Sequence, residues 1–289
     1  MKKARIIAIV SNRCTLLLED GSREIGTLMG KLRKDKAPVV GDFVEIEYLE
    51  DKIAIQKILP RKNELKRPLI ANVDQAIIVM SMKEPDYSAT LLDRLIFQVC
   101  YAHIKPIICF TKMDLLTSED QHLLHEIQSY KDAGYEVYTT SKQEASNELI
   151  EAMKHKISVL TGQSGAGKSS LLNRIEPSFQ LQTQVISKAL GRGKHTTRHC
   201  ELHQVKEGWV ADTPGFSSLD FTHMEIIPLS EVIPDFKPYI NQCRFNDCTH
   251  MHEPGCAIIE AMQQQKINQE RYQHYIDIAN MIKNRKPRY

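Results

Sequence analysis

Gly162-Gln163-Ser164-Gly165-Ala166-Gly167-Lys168-Ser169 decides how this sequence is read. It follows the apolar run 157–160 and precedes Ser170-Leu171-Leu172-Asn173, so a strand, a glycine-rich loop and a helix start stand in that order. Glycines let backbone N–H groups wrap a phosphate, and the N-terminus of the following helix adds positive potential. Lys168 is then placed to reach the β- and γ-phosphates, and the Ser169 hydroxyl to ligate Mg²⁺. The string is a complete Walker A loop in the context that gives it meaning.

Working outward, residues 75–81 and 104–110 read as buried-type strands. Residues 90–102 carry Leu91, Leu92, Leu95, Ile96, Val99 and Cys100 on one helical face. Ser118-Glu119-Asp120-Gln121 resembles a capping box opening a helix that ends near Gly134, and 135–139 is a further strand. Strand–helix alternation predicts a mostly parallel sheet with helices on both faces, its ligand loops leaving the carboxyl ends of the strands.

Two of those loops have the chemistry of base selection. Thr111-Lys112-Met113-Asp114 resembles the Asn/Thr-Lys-x-Asp motif of GTPases, in which a carboxylate accepts from guanine's ring imino and exocyclic amino groups. Adenine does not present that pair, so a site built for it rejects adenine strongly. Thr111 replaces the commoner Asn and removes one side-chain amide. Thr140-Ser141-Lys142 looks like the short loop that also borders the base. Ala211-Asp212-Thr213-Pro214-Gly215 matches Asp-x-x-Gly, with Asp212 holding Mg²⁺ and the Gly215 amide facing the γ-phosphate. Gly191-Arg192-Gly193-Lys194-His195-Thr196-Thr197-Arg198 has the look of a switch segment, with Thr196 or Thr197 as the contact to Mg²⁺ and γ-phosphate. Phe216 stands where many GTPases carry a water-orienting Gln. His195 is the nearest replacement, and contact of His195 with phosphate or RNA is an equal alternative. The base loops precede the phosphate loop, the reverse of the ordinary order. The site depends on geometry rather than chain order, so a permuted chain can still build it.

Residues 1–60 read as five short strands (5–11, 14–19, 23–29, 42–48 and 53–59) without helices between most of them, which suggests a small closed barrel. Oligonucleotide-binding and SH3-like barrels both fit. The basic, proline-bounded segment 60–68 reads as a linker. Near the other end, Cys243-x4-Cys248-x-His250-x5-Cys256 offers three thiolates and an imidazole, a closed tetrahedral set suited to structural Zn²⁺, with His252 a rival for His250 by spacing. Seven cysteines, three clustered and four scattered, do not form a secreted disulfide framework. No signal-peptide pattern opens the chain and no apolar run is long enough to span a membrane, so the expectation is a soluble, cytoplasmic protein.

With 289 residues, 42% hydrophobic and 26% charged, the chain is neither collagen-like nor wholly disordered, and has room for two or three domains. Its net charge of +2 conceals a pattern: residues 1–70 carry 15 Lys/Arg against 10 Asp/Glu, and residues 265–289 carry 6 against 2, flanking an acidic middle. Two basic ends and a barrel point to backbone contact with RNA.

Taken together, the barrel, the permuted motifs and the cysteine cluster resemble the bacterial ribosome small-subunit-dependent GTPase A family over essentially the whole chain. The resemblance implies an OB-like barrel and linker (1–67), a circularly permuted α/β P-loop GTPase domain (68–222) and a mostly helical zinc-binding domain (223–289). It extends the nucleotide site to Thr161. It implies GTP hydrolysis stimulated by the 30S subunit, binding to 16S rRNA, and a role late in small-subunit maturation, by a chain acting as a monomer. Other readings are a permuted GTPase of large-subunit assembly, an ATPase, and a nucleotide-gated RNA-binding protein with incidental hydrolysis.

Overall fold

In a computed structural model, residues 2–29, 37–50, 52–66, 69–142, 144, 146–178, 200–211 and 220–285 are described. His195, Thr196, Thr197, Asp212 and Gly215 lie outside them. The chain packs as two compact units, one of Met1–Gln75, Asn147–Leu160 and Ser169–Phe216, the other of Ala76–Ser146, Thr161–Lys168 and Ser217–Tyr289.

The first unit begins with a closed barrel of β1 (Lys2–Val10), β2 (Arg13–Leu18), β3 (Arg23–Leu28), β4 (Phe43–Leu49) and β5 (Lys52–Ile58), ordered β1-β2-β3-β5-β4. Pairings are antiparallel except β3 with β5. This Greek-key order is that of the oligonucleotide-binding type and removes the SH3-like alternative. Alternate residues point inward: Ala4, Ile6, Cys14, Leu16, Val44, Ile46, Ile53 and Ile55 form one buried cluster. Each fully buried Ile or Leu contributes about 1.5–3 kcal/mol.

The basic segment after the barrel is not a plain linker. Glu64–Lys66 (β6) and Leu69–Ala71 (β7) form an antiparallel hairpin. Arg61 donates to both oxygens of the fully buried Asp42, at 2.6 and 2.8 Å, and to Glu64 at 2.6 Å. A charge that would otherwise face solvent therefore partners a buried carboxylate, which also accepts from the Val39 amide at 2.8 Å.

A mixed sheet follows, built of β8 (Gln75–Ser81), β9 (Lys105–Thr111), β10 (Glu136–Thr139), β11 (Ile157–Gly162), β12 (Leu202–Val205) and β13 (Gly208–Ala211), in the order β10-β9-β8-β11-β13-β12. β9 with β10 and β11 with β13 are parallel, as alternation predicts, while β12 pairs antiparallel with β13. Every residue of β8 is buried. The described helices here are α1 (Ala89–Tyr101), α2 (Gln121–Asp132), α3 (Asn147–Met153) and α4 (Lys168–Ile175). Ser88 caps α1 by accepting from the Leu91 amide. The capping box before α2 starts one residue earlier than its pattern suggests: Asp120 accepts from the amide and hydroxyl of Thr117, and a 3-10 turn, Ser118–Asp120, separates it from the helix. The short α3 was not anticipated, since seven residues show too few turns for a periodicity.

In the second unit, α5 (Ile226–Val232), α6 (Ala257–Gln263) and α7 (Gln269–Lys283) complete the described helices. α7 delivers Arg271 and His274 into a buried charged cluster. Arg271 reaches Asp235 and, at 3.3 Å, Asp93 of α1; His274 meets Asp93 at 2.6 Å through Nδ1 and Thr90 at 2.9 Å through Nε2. The guanidinium also lies 4.1 Å from the Tyr130 ring centroid and 5.4 Å from that of Tyr135. The hydrogen bond to Asp93 raises the His274 pKa. Arg271→Met leaves both carboxylates buried without their guanidinium, so a loss of about 3–5 kcal/mol is expected in urea unfolding of α7. An unchanged transition would show that the cluster is not coupled to stability. Among the described residues, no helix is long and apolar enough to cross a membrane.

Candidate functional site

The nucleotide loops gather at strand ends within the second unit. Residues 162–168 follow β11, 111–114 close β9, and 140–142 follow β10. Gly162 has φ +130°, and a Cβ there would lie 1.9 Å from the Val79 carbonyl oxygen, so no other residue fits. The Gln163 amide donates to that same carbonyl at 3.2 Å. Gly165 and Gly167 also have positive φ, at +78° and +88°. The Lys168 ammonium donates to the Gly162 and Gln163 carbonyls at 3.0 and 2.6 Å, and its burial lowers its pKa. Ser164 is exposed at the loop crest, Ala166 is fully buried beneath it, and Ser169 is exposed on the first turn of α4.

Thr111 explains how the loops are held together. Its buried hydroxyl lies 2.7 Å from the Ala166 carbonyl of the phosphate loop and 3.3 Å from the Met80 carbonyl. The side chain that lacks the usual amide thus ties the base loop to the phosphate loop by a hydroxyl. Lys112, in the left-handed region at φ 59°, donates through Nζ to the Glu84 carbonyl. Asp114 Oδ1 accepts from the Lys142 amide at 2.8 Å, and the Met113 amide donates to the Thr140 carbonyl at 3.2 Å, joining the two base loops with Ser141 between them. Thr140 Oγ1, Thr161 Oγ1 and Gln163 Oε1 are buried without a partner among the described residues, which suits a site whose remaining hydrogen bonds go to a ligand.

One contributor escaped sequence reading. Residues 82–87, between β8 and α1, border both the phosphate and the base loops: Asp86 accepts from Gln163 Nε2 at 2.7 Å, and Pro85 faces Gly165. Nothing in the sequence around Glu84-Pro85 carried a sign of these neighbours.

The cysteine cluster closes as its spacing predicts. Cys243, Cys248, His250 and Cys256 place their ligand atoms within 4.8 Å of one another. Cys243 Sγ is 3.8 Å from Cys256 Sγ and 3.5 Å from His250 Nδ1, which is 3.4 Å from Cys256 Sγ. A tetrahedron with Zn–S near 2.3 Å and Zn–N near 2.0 Å has edges of about 3.8 and 3.5 Å, so the donor set is compatible with zinc. His252 is exposed, and its amide is held by Glu253, which also accepts from the Thr249 and Met251 amides. Tyr272 and Tyr275 of α7 donate to the His250 and Thr249 carbonyls at 2.9 and 2.7 Å.

A mixed sheet with a phosphate loop behind, rather than ahead of, its base-specificity loops defines a circularly permuted P-loop GTPase. The RsgA GTPase family profile matches residues 58–222. The small ribosomal subunit biogenesis GTPase RsgA of Bacillus pumilus is 44% identical over 300 residues, spanning all of both chains. That of Bacillus subtilis is 47% identical over 268 residues, 90% of this chain and 89% of the relative. Among solved structures, the circularly permuted GTPase YloQ superposes with a TM-score of 0.84 at 38% identity over 100% of this chain and 97% of its own. YjeQ from Thermotoga maritima does so with 0.85 at 32% over 99% of each. The chain belongs to the RsgA GTPase family.

Proposed function

We propose that this protein hydrolyses GTP as a binding switch on the 30S ribosomal subunit during late small-subunit maturation, in the cytoplasm. The observation that carries the reading is the hydroxyl tie from Thr111 to Ala166, which sets the candidate base loop against the phosphate loop. In this reading residues 161–169 cradle the phosphates, with Lys168 on the β- and γ-phosphates. Asp114 reads the guanine edge, and Thr111, Lys112, Met113, Ser141 and Lys142 frame the base. Mg²⁺, held by Ser169 and Asp212, supplies charge neutralisation on the phosphate oxygens. In the same reading the Gly215 amide would face the γ-phosphate, Thr196 or Thr197 would complete that contact, and His195 would orient the attacking water or contact phosphate or RNA. The four-ligand Cys243, Cys248, His250 and Cys256 set binds a structural Zn²⁺ with no open position.

RNA recognition falls to the basic barrel, acting on 16S rRNA mainly through phosphates and shape. Lys2 and Arg5 lie over the exposed Tyr48 and Phe43 rings, at 5.0 and 4.1 Å from their centroids. Turnover measured alone and with purified 30S or 50S subunits tests the reading. Stimulation by about tenfold or more with 30S alone is expected, because little covalent chemistry falls to the protein and ordering of the switch dominates the rate. Equal rates in all three conditions would sink it.

A further inference from the structure

Residues 82–87 touch both the base loop at 111–112 and the phosphate loop at 163–165, yet carry no recognised motif. The Met82 amide donates to the Thr111 carbonyl at 3.3 Å. Ser81 Oγ donates to the Lys83 carbonyl. The Glu84 carbonyl accepts from Lys112 of the base loop, and the Asp86 carbonyl accepts from Gln163 of the phosphate loop at 2.7 Å. Pro85 packs toward Gly165, where an added Cβ would meet the ring at 3.4 Å. At the far end the Tyr87 ring stands edge-on to Phe110 with centroids 5.9 Å apart.

Contacts from outside the nucleotide loops brace the strap: the Tyr87 hydroxyl donates to that of Tyr130 at 3.4 Å, and Lys83 forms an ion pair. The Lys83 ammonium lies 2.6 Å from Asp120 Oδ2, the oxygen that also accepts from the amide and hydroxyl of Thr117 at 2.7 and 2.8 Å. Lys83 is one third exposed and Asp120 about one eighth, so the pair is only partly screened. Its carboxylate is held down to about 2, chiefly by the Lys83 hydrogen bond.

We propose that Lys83 is a positioning residue for guanine-nucleotide binding: anchored on Asp120, it fixes the 82–87 strap, whose Glu84 and Asp86 carbonyls set the base loop against the phosphate loop. Lys83 acts on the nucleotide only through Lys112 and Gln163. Loosening the anchor therefore lets two rigid halves of one pocket drift, which weakens binding of GDP and GTP alike. The chemical step, carried by groups at the γ-phosphate, keeps its rate once the site is saturated. A partly exposed pair of this kind supports an effect of about fivefold.

The inference rests on the nucleotide-site reading above, and its test is arranged so that the two fail separately. In the full-length protein, Lys83→Met should raise the dissociation constant for a fluorescent GDP analogue and the KM for GTP about fivefold, with kcat within twofold. Lys83→Arg should restore both. Asp120→Asn keeps a carbonyl acceptor for Thr117, so the Lys83→Met/Asp120→Asn double variant should be no weaker than the single changes. Unchanged KM and dissociation constant in Lys83→Met, or a fall in kcat with KM intact, overturns the proposal. Asp114→Asn serves as the reference. If it loses guanine preference over ATP while Lys83→Met is silent, only the strap inference fails; if it keeps that preference, the site reading fails first.

Discussion

Lys168→Ala lowers turnover of saturating GTP by about 10²–10³-fold, the usual result of deleting one preorganised electrostatic stabiliser of a transition state. The ammonium already sits inside the phosphate loop, bonded to the Gly162 and Gln163 carbonyls, and burial lowers its pKa by penalising the charged form. Phosphate oxygens would offset that cost better than carbonyls do, and most strongly where negative charge develops. The loss should therefore appear mainly in kcat, with guanine preference retained, because Asp114 is anchored separately through the Lys142 amide. Lys168→Arg should recover little, since a planar fork does not fill the place of a compact ammonium. Single-turnover hydrolysis measures this. A variant that keeps even one tenth of the parent rate would show that Lys168 does not contact the reacting phosphate.

Metal removal has the largest expected effect on stability. Structural zinc binding is worth about 10–16 kcal/mol in small domains near neutral pH, comparable with or above the total stability of an ordinary domain, about 5–15 kcal/mol. The ligand segment 243–256 has no regular helix or strand before α6 to fold it otherwise. Burial first, and then the neighbouring Cys256 and Cys243 sulfurs, push the Cys248 thiol up to about 12, so a thiolate there would depend on the metal's charge. Loss should spread to α7, because Tyr272 and Tyr275 bond to the His250 and Thr249 carbonyls. Chelation, or Cys248→Ser, should expose 243–283 to proteolysis and abolish one zinc per chain by metal analysis. His252→Ala should leave both unchanged. A chelated protein with parental protease resistance would remove zinc from this account.

Much of the site was legible because its signals are local. Gly165 and Gly167 answer a backbone demand of the loop itself, at φ +78° and +88°, and Cys-x4-Cys-x-His-x5-Cys closes within fourteen residues. The strands of the barrel were found within one to three residues, since alternation reports burial directly. What escaped depends on partners far along the chain. Arg61 looked like a linker charge until Asp42 lay against it, and nothing local to Lys83 pointed to its pairing with Asp120. Thr111 was read as a missing amide, although its hydroxyl has found a carbonyl 55 residues later.

By itself the sequence determined the residue types on which the proposed chemistry rests: a phosphate loop, a candidate guanine-reading carboxylate, a Cys3His ligand set, and the permuted order that links them. Those properties follow from residue types at short, fixed spacings, where backbone geometry leaves one arrangement. Only the tertiary structure decided the barrel's type, the Arg271 and His274 attachment to Asp93, and the 82–87 strap that joins base and phosphate loops. Each of these rests on a pairing across long separations. Any such lysine, arginine or carbonyl has many candidate partners in the sequence, and packing selects one.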